Sequence, residues 1–259
     1  MKVAKIGILA PVVSFRYPHF LVGKQVSYVM PPPSTIYGHI ASAVGELPNP
    51  SLLRAGYNFT YRSKAVDLEH QHIISRNPPD KLSERQSADL KQWRSKYPLS
   101  VGGSVQPTFR EFLFHAEMTL YVTPASIADA FKAPVFPVVL GRSQDLACVT
   151  SVAEVDLAVA DGAYYDNTLL PFSWRSKTHF GITVLMSRFI GPPPNREPTF
   201  AQYITLSRER IYGGNAEIDS TDRRYMVRKL DEAEEWLVDP ESPRDKGVHC
   251  GVVLHSFLD

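Results

Sequence analysis

The sequence predicts an α+β protein whose first 160 residues run β-α-β-β-α-β, followed by a smaller β-rich region over 161–259. Three observations carry that prediction. Residues 109–123 (FREFLFHAEMTLYVT) place Phe112, Phe114, Ala116, Met118, Leu120 and Val122 at every second position, the period of a half-buried strand. Residues 31–46 (PPPSTIYGHIASAVGE) set three prolines before a run with Ile36, Ile40, Ala43 and Val44 at helical spacing. A second short helix, Pro124 to Lys132, follows the alternating strand and has proline near its start.

Taken in order, residues 3–12 are the first strand, with Ala4, Ile6, Ile8, Ala10 and Val12 on one face. The first helix spans about 34–45, and Ser34 or Thr35 is expected to cap it. In 57–74 Tyr57, Phe59 and Tyr61 alternate with polar residues, after which the apolar phase moves to Val66 and Leu68. That shift predicts a bulge or break near Ala65. The third strand is 109–123 and the fourth lies in 149–159. This β-α-β-β-α-β order is the ferredoxin-like arrangement. Its hairpin is replaced by an insertion at about 76–108, which contains a predicted helix near 80–96 and is too long for a plain turn. Beyond residue 160, 181–186 and 251–257 read as strands, 191–198 (GPPPNREP) as a stiff loop, and 222–237 as helix or as strand plus helix.

The 259 residues are 44% hydrophobic and 21% charged, ordinary for a globular chain large enough to bury a core without staples. The two cysteines, Cys148 and Cys250, form no metal or redox motif and fit a reducing compartment. The N-terminus lacks the run and cleavage site of a signal peptide, and no stretch is long and apolar enough to span a bilayer. A cytoplasmic location without membrane contact is the expectation.

Charge is unevenly spread. Residues 1–110 hold 14 Lys/Arg against 6 Asp/Glu, whereas 111–259 hold 14 against 21. A polyanion on one side and a basic partner on the other would suit that division. There is no phosphate-binding glycine loop, no dinucleotide fingerprint and no HExxH, and the acidic residues are dispersed. His70 and His72 share one side of a strand but lack a third ligand, so no metal and no cofactor are expected.

What remains is a binding surface. Leu113, His115, Glu117, Thr119 and Tyr121 would line the second face of the third strand, which is not an aromatic stacking face of the RNA-recognition type. The loop at 14–30, with Arg16, Tyr17, His19, Lys24 and Tyr28, is the better candidate, joined by Arg62, Lys64, His70 and Arg76. The insertion adds Arg85, Lys91, Trp93 and Arg94 as an arm reaching a partner. The helix start at Ser34 and Thr35 would seat a phosphate. In LGRS, Gly141 would allow a tight turn and Arg142 would bind a phosphate or an internal carboxylate.

The runs SFRYP (14–18), PPPSTIYGHIASAVG (31–45) and LGRSQDLA (140–147) resemble the Cas-five family, the RAMP-type subunits of type I CRISPR effector complexes (Cascade). The resemblance is specific over the first 160 residues and thin thereafter. It implies a ferredoxin-like domain whose thumb is the insertion at 76–108. It also implies a subunit that caps the 5′ handle of the crRNA, meets target DNA only through the complex, and contacts the large subunit and the first backbone subunit. Tyr37 joins the RNA-facing residues on the same ground.

One branch of that family processes precursor RNA with Tyr, Lys and His and no metal. Its motifs differ from PPPSTIYGHI, and this chain has no adjacent Lys-His pair. The expectation is therefore a non-catalytic protein. A nuclease using Tyr37, Lys64 and His70, or an interaction module that never touches RNA, are the alternatives.

Overall fold

A computed structural model describes residues 1–19, 23–74, 84–96, 103–219, 227 and 235–258. In chain order the elements are β1 (Lys2–Val13), β2 (Lys24–Gln25), α1 (Pro33–Val44), β3 (Arg54–Ile74), α2 (Glu84–Lys96), β4 (Gly103–Thr123), α3 (Ile127–Lys132) and β5 (Cys148–Asp156). The rest is mostly sheet: β6 (Ala158–Ala160), β7 (Gly162–Asp166), β8 (Leu169–Pro171), β9 (Ile182–Ile190), β10 (Pro198–Thr205), β11 (Arg210–Gly214), β12 (Trp236–Asp239), β13 (His249–Gly251) and β14 (His255–Ser256).

The main sheet has the order β14-β3-β4-β1-β5, and these neighbours pair antiparallel. The short β2 adds to the edge of β4. Alternation in β1 puts Ala4, Ile6, Ile8 and Ala10 against Ile36 and Ile40 of α1 and Phe131 of α3, so both helices lie on one face of the sheet. The expected fourth strand over 149–159 divides. Its first part is β5, and Ala158–Ala160 crosses to pair with β12 in a separate five-stranded sheet, β11-β7-β13-β12-β6.

The first helix begins one residue earlier than its cap residues would suggest. Pro32 is the N-cap and Pro33 occupies the first helical position, where a missing N–H does no harm. Neither Ser34 nor Thr35 caps the helix. Thr35 N–H and Ile36 N–H both donate to Pro32 O, and the Ser34 hydroxyl shares a 2.6 Å bond with the Ser187 hydroxyl. Gly45 ends the helix at φ 92°, donating to Ala41 O.

β3 and β4 form a long ribbon in one register from Arg54↔Thr123 to Ile74↔Gly103. No bulge lies at Ala65. Instead a single rung is unpaired, Arg62 opposite His115, and His115 sits at φ 52°. There the inward phase of β4 inverts. Ala116, Met118, Leu120 and Val122 are buried above it, whereas below it Leu113 is buried and Phe114 is 43% exposed. The inversion puts Val66 and Leu68 on the Leu113 side of the ribbon, out of phase with Tyr57 and Phe59 without any slip of register, although both are 52% exposed.

The second face of the main sheet, where Tyr121 is expected to stand as part of a binding surface, is partly covered. Val3, Tyr121, Val155 and Leu157 pack there against Val252, and the Tyr121 hydroxyl donates to Asp239 of β12 at 2.8 Å. The C-terminal residues reach the other face too. Met186, Tyr203 and Phe257 join the core built on β1 and α1. The three-stranded sheet β8-β10-β9 supplies two of these. Of the prolines in 191–198, Pro192, Pro193 and Pro194 fall between β9 and β10 and Pro198 opens β10. Of 222–237, only Val227 and residues 235–237 are described, and Trp236 opens β12.

Candidate nucleic-acid interface

The described residues of the basic loop, 14–19 and 23–30, are pinned at the foot of the ribbon. Arg16 and Ser27 bridge, Tyr28 N–H donates to Phe15 O at 2.8 Å, and Phe15 N–H donates to the Ser27 hydroxyl at 3.0 Å. The Ser14 hydroxyl donates to Glu111 O at 2.7 Å, tying the loop to β4. This arrangement gathers Arg16, Tyr17, Lys24 and Lys64 around one spot, although Lys64 lies far away in sequence.

Carboxylates that sequence reasoning did not single out hold most of those cations. Glu111 accepts Ser27 N–H at 3.2 Å and pairs with Lys64 at 2.6 Å and Lys24 at 3.4 Å. Glu69 pairs with Arg110 and Arg142. Asp145, which is buried, accepts Ser14 N–H at 3.1 Å, Arg142 N–H at 3.0 Å and the Arg142 guanidinium at 2.7 Å. Arg142 thus takes the internal ion pair rather than presenting a free fork. Gly141 stands at φ 109°, and a Cβ there would come within 2.8 Å of Ser14 O, so the turn that places Arg142 and Asp145 needs glycine.

Two tyrosines belong to the core. Tyr28 is 1% exposed, and burial pushes its phenol up to about 12 while its hydroxyl donates to Leu185 O at 2.6 Å. Tyr37 donates to Pro48 O at 2.6 Å and lies edge-on to Phe189 and Phe257, with its pKa raised by burial. Neither ring faces solvent, because each completes the apolar layer under α1. Tyr17 is half-buried and stacked on Tyr28 with centroids 3.6 Å apart, and His19 lies beside Phe200, an exposed aromatic that only the fold brings to this loop.

The helix start is a poor phosphate seat. Pro33 has no N–H and the next two after Ser34 are bonded, which leaves Ser34 N–H alone. Arg16, Arg62 and His70 are exposed, and the first two have no carboxylate partner among the described residues. Arg85 and Lys91 are exposed on α2. Trp93 and Arg94 lie on that helix too, and Arg76 lies outside the described residues.

Glu111 gives a pH prediction. Burial raises its carboxyl pKa, but bonds from Lys64, Ser27 N–H and Lys24 outweigh that and hold it below the usual range. A depressed folded pKa means stabilisation that is present above the unfolded value, about 4.3, and lost as pH falls through the folded one. Glu111→Gln is therefore expected to melt several degrees lower than wild type at neutral pH, the two converging in acid. Calorimetry from acid to neutral pH reads this, and parallel profiles would refute it.

Between the second face of the main sheet and the five-stranded sheet lies a cavity of about 600 Å³, lined by Lys5, Asn58, Glu117, Tyr164, Asp239 and Cys250 among others. Two of its charges are paired with each other, Lys5 with Asp239 at 2.6 Å. Among the described residues no His/Cys/Asp/Glu group could hold a metal, and no helix is long and apolar enough to cross a membrane.

Over residues 5–229 the chain matches the family model described as "CRISPR-associated protein (Cas_Cas5)". No curated protein matches it. Among solved structures it is similar to a chain of a "CRISPR RNA-guided surveillance complex", with 16% identity and a TM-score of 0.49 over 79% of this chain and 88% of that one. It is also similar to a CRISPR protein from Archaeoglobus fulgidus (10% identity, TM-score 0.43, 82% and 91% covered). A third likeness is to a chain of the Type III-B Cmr-beta complex bound to cognate target RNA (12%, 0.42, 80% and 84%).

Proposed function

Since this chain belongs to the Cas-five family of CRISPR-associated proteins, we propose that it is the non-catalytic subunit of a type I effector complex that caps the 5′ handle of the crRNA. In this reading the insertion at 76–108, which carries α2, is the thumb that meets the first backbone subunit, and another surface meets the large subunit. The antiparallel order β3-β4-β1-β5 with α1 and α3 on one face supports a ferredoxin-like RAMP domain over 1–160, to which 161–259 is the β-rich addition.

The observation that carries the RNA assignment is charge placement. Arg16 and Arg62 stand exposed at the foot of the ribbon, while the neighbouring carboxylates Glu69, Glu111 and Asp145 are turned inward and engaged by other cations. The nuclease alternative finds less support. Tyr37 is buried, Lys64 is paired with Glu111, and His70 is six residues further along an extended strand, about 20 Å away. These three side chains do not converge as acid, base and oriented nucleophile.

Co-expression with the neighbouring genes and sequencing of the co-purified RNA tests the reading. Fragments that begin with repeat-derived 5′ ends are expected. Arg16→Ala with Arg62→Ala should lower the salt dependence of RNA binding by about 0.7 units of slope for each phosphate no longer neutralised. Unchanged slope and affinity would remove these residues from the interface. Cleavage of a repeat hairpin by the pure protein would put the nuclease reading ahead, and protein free of RNA would favour an interaction module.

A further inference from the structure

Among the described residues some cations are held by carboxylates and others stand at the surface without one. Lys24, Lys64, Arg110 and Arg142 are of the first kind. So is Arg210 in the acidic half, whose guanidinium is clamped by Asp166 and Asp245. Arg208, two residues away, is exposed and has no carboxylate within ion-pair distance among the described residues.

Arg208 is nevertheless held in place. Its backbone stands at φ 65°, its N–H donates to Asn167 Oδ1 at 3.0 Å, and its guanidinium lies over the Tyr61 ring, 5.0 Å from the centroid. The turn beneath it is fastened to β3. Phe59 N–H donates to Asn167 O at 2.7 Å, the Thr168 hydroxyl donates to Tyr57 O at 2.8 Å, and Leu206 N–H donates to Thr168 O at 3.0 Å. Tyr61 is the last β3 residue before the unpaired rung at Arg62 and His115. Arg208 therefore stands where the ribbon leaves the body, over the last paired residue before that rung. The nearest carboxylate in sequence, Glu209, accepts Gly181 N–H at 3.1 Å.

We propose that Arg208 is an RNA phosphate contact supplied by the C-terminal half, an inference that rests on reading this chain as an RNA-binding subunit. A guanidinium seated on a ring face keeps its edge N–H groups free for a phosphate. Its orientation is set before binding, so less side-chain freedom is lost when the phosphate arrives. A phosphate reaching Lys64 or Arg142 would have to displace a carboxylate, whereas at Arg208 none of the described carboxylates stands in the way. The acidic half thus contributes one cation to the basic surface, at the junction where both halves meet β3.

The test uses full-length protein and a labelled single-stranded RNA bearing the repeat of its own locus, titrated at several salt concentrations. Arg208→Gln should weaken binding about five- to tenfold and reduce the salt slope by about 0.7. Arg208→Lys should restore the slope but not the full affinity, because the planar fork is gone. Tyr61→Leu should lower affinity while leaving the slope intact, since the charge remains. If Arg208→Gln matches wild type in affinity and slope while the Arg16 and Arg62 variants fall, the Arg208 assignment is overturned and the RNA-binding function stands. If wild-type protein binds no RNA, both are overturned.

Discussion

Asp239→Ala is expected to cost about 3–5 kcal/mol of stability, the range for removing one partner of a buried ionic network. For a chain of this size that corresponds to a fall of roughly 10 °C in the melting midpoint. Asp239 is fully buried at the end of β12 and binds across to the main sheet, to Lys5 Nζ at 2.6 Å and the Tyr121 hydroxyl at 2.8 Å. It also accepts Glu241 N–H at 2.9 Å. Its removal leaves the buried Tyr121 phenol without its acceptor, and Lys5 with only the exposed Glu241 carboxylate 3.8 Å away, at the place where two sheets meet. Burial raises the Asp239 pKa, but Lys5, Tyr121 and Glu241 N–H more than offset this and hold it low. Its contribution is therefore present at neutral pH and fades as pH falls through the folded value. Asp239→Asn, which keeps acceptors for Tyr121 and Glu241, should lose less. Thermal denaturation of both variants decides it, and a shift under about 2 °C for the alanine variant would mean that Asp239 does not hold the sheets together.

Replacing residues 75–102 with an Asn-Gly turn is expected to leave the protein folded and to abolish its assembly with RNA and neighbouring subunits. Ile74 and Gly103 already face one another in register, so a two-residue hairpin turn closes the ribbon without strain on the ladder. None of the described residues of α2 enters the hydrophobic clusters, and closing a long surface loop is mainly an entropic matter. The same residues carry Arg85 and Lys91 on an exposed helix, part of an insertion with six Lys/Arg against three Asp/Glu over 76–108. A cooperative melt close to wild type together with absence of the co-purified complex is the expected pair of results. Unfolding would show that the insertion belongs to the core, and normal assembly would take the partner-binding role away from it.

Much of the framework can be read from the chain because it rests on forces between neighbours. Proline fixes φ at 31–33, period-two alternation marks β1 and β4, and the spacing of Ile36, Ile40 and Ala43 turns one face of α1 inward. The three motif runs name the family on the same local footing. The phase change between Tyr61 and Val66 is equally visible in the sequence, but its cause lies on the opposite strand, at His115.

What tertiary structure alone decided is which charges remain available and which face is covered. Lys64 looks like an RNA ligand until Glu111 lies 2.6 Å away, and Arg142 until Asp145 and Glu69 close on it. The second face of the sheet looks open until Asp239, more than a hundred residues along the chain, bonds to Tyr121. Arg208 carries no mark in the sequence, and it gains one only when the fold lays it over Tyr61. Ion pairs and burial act over a few ångströms in space, and separation along the chain does not encode those distances.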